Sequence, residues 1–195
     1  MFLLANAALW KPRLMKAALV ALALQVTSVA VADQSSPAAL DLTQKIEALT
    51  SALTALGATV DAAEAQQAAA LSYATANELR DEYRMVSPPQ LHNILIQLGL
   101  RKHGLCCDWA AVMVRRLHAL ELTTLEVHWI VAHQGNVLRE HNSALLTAVG
   151  GDLATGIVID GWRNSGELYW GAARDDRYPW KIHPDNREWQ LLECR

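Results

Sequence analysis

No stretch of this chain collects Lys or Arg: 17 basic and 20 acidic residues are spread over 195 positions, giving a formal net charge of −3. A surface that reads nucleic acid needs a basic face, so that class of partner is excluded. Closely spaced pairs of metal-ligating residues are absent too. A site built from Cys106, His128, His141 and Asp160 would rest on strand parity alone, so neither metal nor other cofactor is expected. Apolar runs stay shorter than the roughly 20 residues that cross a bilayer. An integral membrane protein is therefore not expected. Cysteine is scarce, at three residues.

What is present begins with an export signal. Met15-Lys16 opens a short positive region, Ala17–Val29 is apolar apart from Gln25, Thr27 and Ser28, and Ala30-Val31-Ala32 fits the small-x-small cleavage pattern. Residues 1–32 are expected to be the signal, with Met15 the true start and Asp33 the mature one. The cleavage site carries no cysteine, which argues against a lipid anchor. The expected location is periplasmic or secreted. In such an oxidising compartment an odd cysteine count leaves one thiol over. The expected pair is Cys107 with Cys194, freeing Cys106. A Cys106–Cys107 ring, or no disulfide, remain open.

Residues 33–84 read as a helical arm. Leu42, Ile46, Leu49, Leu53, Leu56 and Val60 fall at heptad spacing, interrupted by Gly57, and predict a short coiled coil or a helix folded back on its neighbour. Asp61–Arg84 is an alanine-rich second helix. The arm either packs on the domain or serves self-association through 42–84. Ser87-Pro88-Pro89 ends it, and residues 85–195 form the main domain. Leu91–Leu100 predicts a short helix, and Cys106–Leu120 a longer one with Cys106, Ala110, Met113 and Leu117 on its inner face. The period then turns to two. Leu125–His133 and Leu138–Val149 read as strands joined at Gly135-Asn136, followed by Ile157–Asp160 and Glu167–Ala172. A two-residue turn would set His141 opposite Ile130, on one face with His128 and Ser143. The tail from Asp175 should wrap the sheet irregularly. Helices followed by an antiparallel meander make an α+β fold.

Three stretches carry chemistry. A thiol at the first turn of a helix is favoured as thiolate by the free N–H groups, which could also hold an oxyanion. Cys106 is at such a position. His141 lies within a strand and Asp160 ends one, so the chain supplies a nucleophile, a base and an orienting acid in the order Cys, His, Asp. Each has a plain alternative: a packing cysteine, a satisfied strand histidine, a turn aspartate. His92, His103, His118, His133 and His183 read as surface or loop residues. Trp129, Trp162 and Trp170 read as core, with Trp162 a candidate cleft wall.

Gly104-Leu105-Cys106 followed by Asp108-Trp109-Ala110 resembles the start of the nucleophile helix in transglutaminase-like proteins, which share papain's logic. Glu140-His141-Asn142 is similar to that superfamily's strand histidine, and Ile159-Asp160-Gly161-Trp162 to its aspartate followed by a small residue and an aromatic. The resemblance spans about residues 85–180. It implies a papain-like core, with Cys106 as nucleophile, His141 as base and then acid, Asp160 orienting the ring, and Trp162 and Trp109 beside the substrate. The implied reaction is acyl transfer through a thioester, most simply hydrolysis of an amide, peptide or ester bond. The substrate would be a peptide, a protein or a cell-wall peptide stem. Gln90, Asn93 and Gln97 are candidate oxyanion donors by residue type. The competing expectation is an inactive scaffold of the same fold that binds a periplasmic partner.

Overall fold

The computed structural model describes residues 37–136 and 138–187. The expected signal segment, Cys194 and Trp189 lie outside the described residues. Four helices come first: α1 (Pro37–Thr54), α2 (Ala62–Glu82), α3 (Pro89–Gln97) and α4 (Cys106–His118). An antiparallel five-stranded sheet follows: β1 (Leu125–Ala132), β2 (His141–Ala148), β3 (Ile157–Asn164), β4 (Glu167–Ala172) and β5 (Lys181–Ile182), in the order β4-β3-β2-β1-β5. The class is α+β.

The heptad stripe of α1 is used inside the chain, and no coiled coil forms among the described residues. Leu49 and Leu53 are fully buried, and α2 offers small residues (Ala65, Ala68, Ala69) that let the two helices approach closely. Gly57 falls in the turn after α1, so it carries no helix-interior penalty. Asp61 caps α2, its Oδ1 accepting from the N–H groups of Ala63 and Glu64 at 2.8 and 3.0 Å.

Composition suggested a boundary near residue 84, yet the two sides share one core. Glu64 accepts from the backbone N–H and hydroxyl of both Thr123 and Thr124 at 2.6–2.9 Å, tying the first turn of α2 to the entry of β1. Trp170 on β4 donates to the Tyr73 hydroxyl at 3.0 Å, and Arg116 on α4 grips Glu78 with two bonds of 2.6 and 2.7 Å. The stripe of α1 packs on its own chain, the first of the two arrangements expected for the arm. None of the described helices is long and apolar enough to cross a membrane.

The sheet has two covered faces. Val127, Trp129, Ala144, Leu146, Ile157 and Ile159 meet the helices, while Ile130, Ala132, Leu145 and Val158 form a second, smaller core with Ala173 and Trp180. The segment after β4 thus roofs the face away from the helices. His141 pairs with Ala132 rather than Ile130. The β1–β2 connection is no two-residue turn. Asn136 organises a helical turn there, its carbonyl accepting from Arg139 and Glu140 N–H and its side chain from Leu138 and Arg139 N–H. The slip is two residues, so His128, His141 and Ser143 keep their common face.

Candidate active site

Cys106 is the first residue of α4, and its loop is fixed from three directions. Asp108 reaches back so that its Oδ2 accepts from the N–H groups of Gly104 and Leu105 at 2.8 and 2.9 Å. His92 on α3, fully buried rather than at the surface, bonds the His103 carbonyl through Nε2 at 2.9 Å and accepts from Val86 N–H at 3.3 Å. Gly104 has φ +118°, and a Cβ there would run into the His92 ring. The N–H of Cys106 itself, at the first helical position, has no intrahelical acceptor. Its thiol is free and half-buried, with Sγ 3.9 Å from the Glu140 carbonyl oxygen. Cys107 is disulfide-bonded, which removes the Cys106–Cys107 ring and the all-thiol alternative. Its expected partner, Cys194, lies outside the described residues.

His141 starts β2 and is buried. Its Nε2 donates to Asp160 Oδ2 at 2.6 Å, and its Nδ1 has no hydrogen-bond partner among the described residues. Asp160 owes its position to an irregularity in β3. Register shifts against β4 between Asp160 and Asn164, and the N–H groups of Trp162 and Arg163 both turn onto Asp160 Oδ1 at 3.0 Å. Arg163 then continues the chain of charges. Its Nε donates to Asp160 Oδ2 at 3.0 Å and its two terminal nitrogens to the Asp176 carboxylate at 3.1 and 2.7 Å. Trp180 Nε1 closes the series on Asp176 at 3.0 Å. Sequence reasoning missed Arg163, Asp176, Tyr178 and Trp180. Only the short step from Asp160 to Arg163 hinted at a partner.

Burial opposes charge on His141, but the charge and hydrogen bond of Asp160, with smaller help from Cys106, lift its pKa to about 9. Burial likewise opposes charge on Asp160, and there His141 and Arg163 prevail, holding the carboxyl below its ordinary range. The imidazole is enclosed by the rings of Trp162, Tyr178 and Trp180 at centroid distances of 4.9, 4.6 and 5.4 Å. Aromatic faces favour a cation and shed water.

Cys106 and His141 open into one cleft of about 340 Å³. Gln90 and Asn93 on α3 line it beside Trp162, with the β1–β2 connection and Tyr178 opposite. Gln97 is not among its lining residues. Asn93 already accepts from Trp162 Nε1 at 3.4 Å, which points its amide oxygen away and leaves the amide N–H groups as donors. Trp162 stands where a cleft wall was expected. Trp109 does not. It is 2% exposed, set edge-on to Tyr83 and pressed on Gly161, because the first turn of α4 carries it onto the inner face. It is a core residue and cannot touch a substrate. His183, in the loop after β5, stacks on Trp129 at 3.4 Å between ring centroids.

Among the described residues no group of three or more His, Cys, Asp or Glu side chains could hold a metal ion. The arrangement can instead perform nucleophilic acyl chemistry: a free thiol, an imidazole with one nitrogen committed to a carboxylate, and unused N–H donors share one opening. Compared with protein-family models, with curated proteins and with solved structures, the chain matches none.

Proposed function

We propose that this protein is an exported, transglutaminase-like cysteine hydrolase that cleaves an amide or ester bond through a thioester on Cys106. The observation that carries the reading is the 2.6 Å bond from His141 Nε2 to Asp160, which leaves Nδ1 unpartnered in the cleft that holds the only free thiol among the described residues. The helix–sheet order supports a papain-like core, and the disulfide at Cys107 supports an oxidising, periplasmic setting.

In this reading the thiol has already given its proton to Nδ1 of His141, and the thiolate attacks the carbonyl carbon. The N–H of Cys106 and the amide of Asn93 or Gln90 face the oxyanion. His141 gives the proton to the leaving nitrogen as the C–N bond breaks, releasing an amine. Water then attacks the thioester, His141 takes its proton, and the C–S bond breaks to free a carboxylate and restore the thiol. Asp160 keeps the ring in the one tautomer that serves both steps.

Iodoacetamide labelling read by peptide mass spectrometry tests this. At about pH 6.5, where an ordinary thiol of pKa about 8.5 is mostly protonated, Cys106 should label faster than glutathione. The advantage should disappear in His141→Ala. Labelling at the glutathione rate in the wild-type protein would discard the enzyme in favour of a partner-binding scaffold.

A further inference from the structure

Two arginines stand on separate segments at the same opening. Arg139 comes from the β1–β2 connection and Arg177 from the segment that follows β4, and both line the cleft that holds Cys106 and His141. Both side chains are exposed. Their polar contacts are weak and uncharged by acids: Arg139 Nη2 lies 3.5 Å from His133 Nε2, and Arg177 Nη2 lies 3.4 Å from the Tyr178 hydroxyl. Neither forms an ion pair with a described residue. Other arginines do have carboxylate partners, as in Arg116 with Glu78 and Arg163 with Asp160 and Asp176. The one acid lining the cleft, Glu140, is committed to its own loop. Its Oε2 accepts from Gly135 N–H at 2.6 Å and its Oε1 from Asn142 Nδ2 at 3.3 Å. With His141 held cationic in the same cleft, the opening carries three basic side chains against the single carboxylate of Glu140.

We propose that the cleft selects acyl substrates carrying a carboxylate beside the scissile bond, with Arg139 and Arg177 as the residues that receive it. A peptide with an acidic side chain or a free carboxylate next to the cleaved amide has that chemistry. Guanidinium groups match a carboxylate with paired N–H donors. A cleft with an excess of one sign also concentrates the opposite ion by roughly 10- to 1,000-fold. The inference rests on the assignment of Cys106 as nucleophile and adds what that nucleophile is offered.

Alkylation of Cys106 by two reagents that differ only in charge separates the two ideas. The quantity to measure, on the full chain, is the ratio of its iodoacetate rate to its iodoacetamide rate. The wild-type ratio should exceed that of Arg139→Gln/Arg177→Gln about tenfold and should fall when salt is raised from about 0.05 to 0.5 M. The single variants should lie between. Equal ratios in the wild-type and double-variant proteins would overturn the selectivity. Failure of the nucleophile assignment shows elsewhere, as an iodoacetamide rate that does not change in His141→Ala. Paired peptides with Asp or Asn beside the cleaved bond then give the substrate form of the same test: the wild-type preference for Asp in kcat/KM should be lost in the double variant.

Discussion

Asp160 accepts four hydrogen bonds within a buried row of alternating charge, from His141 through Arg163 to Asp176. Removing its charge while keeping its shape isolates what the row does. Asp160→Asn takes away the main support for the imidazolium, so the His141 pKa should fall from about 9. The alkaline limb of kcat/KM against pH should move down with it. Stability changes in a matching way. A folded pKa above the ordinary 6.5 means the stabilisation is fully present below 6.5 and is lost as pH rises through about 9. Urea midpoints at about pH 6 and pH 10 should differ in the wild-type protein and converge in Asp160→Asn. The sequence marked Cys106 as the first residue of a helix, His141 as lying within a strand and Asp160 as ending one. The structure keeps the first, sets His141 at the start of β2 and carries β3 past Asp160 to Asn164. Arg163 and Asp176 were not legible, since a guanidinium joining two acids from different turns leaves no periodic trace. Trp109, which the resemblance set beside the substrate, is carried inward by the first turn of α4.

At the scale of elements, α4 and β3 are brought together by a missing side chain. A Cβ on Gly161 would lie 2.5 Å from Cε3 and 2.8 Å from Cζ3 of Trp109. Gly161→Ala should therefore lift the first turn of α4 from the sheet, at a cost of about 1–3 kcal/mol in urea unfolding. Cys106 should label more slowly than that loss of stability alone explains, because the helix carries the thiol while the strand carries Asp160. A variant with the stability loss and an unchanged labelling rate would separate the contact from the site. Element types followed from periodicity, since helical and alternating patterns differ along the chain as clearly as they do in space. Register did not follow, because Asn136 builds a turn of its own that no hairpin rule foresees.

Taken whole, the described chain is one body whose N-terminal helices carry part of the load. Leu53→Ala should destabilise by about 2–5 kcal/mol. Helix content followed by far-UV circular dichroism and the fast alkylation of Cys106 should be lost together across the denaturant range, as one cooperative transition requires. An independent arm would lose helix signal first, with the thiol still labelling fast. The alanine-rich helix, read in the sequence as an arm that packs on the domain or self-associates, serves as the close-fitting neighbour of α1.

The bend in β3 sets a rule for anyone who would graft this chemistry onto another scaffold. Three side chains copied onto an ideal sheet and helix would arrive without the two N–H groups that Trp162 and Arg163 turn onto Asp160, and without the guanidinium that links it to Asp176. A portable unit must hold the stretch from Gly104 to Trp180, irregular strand and roof included, together with α3, whose His92 holds the loop before the thiol.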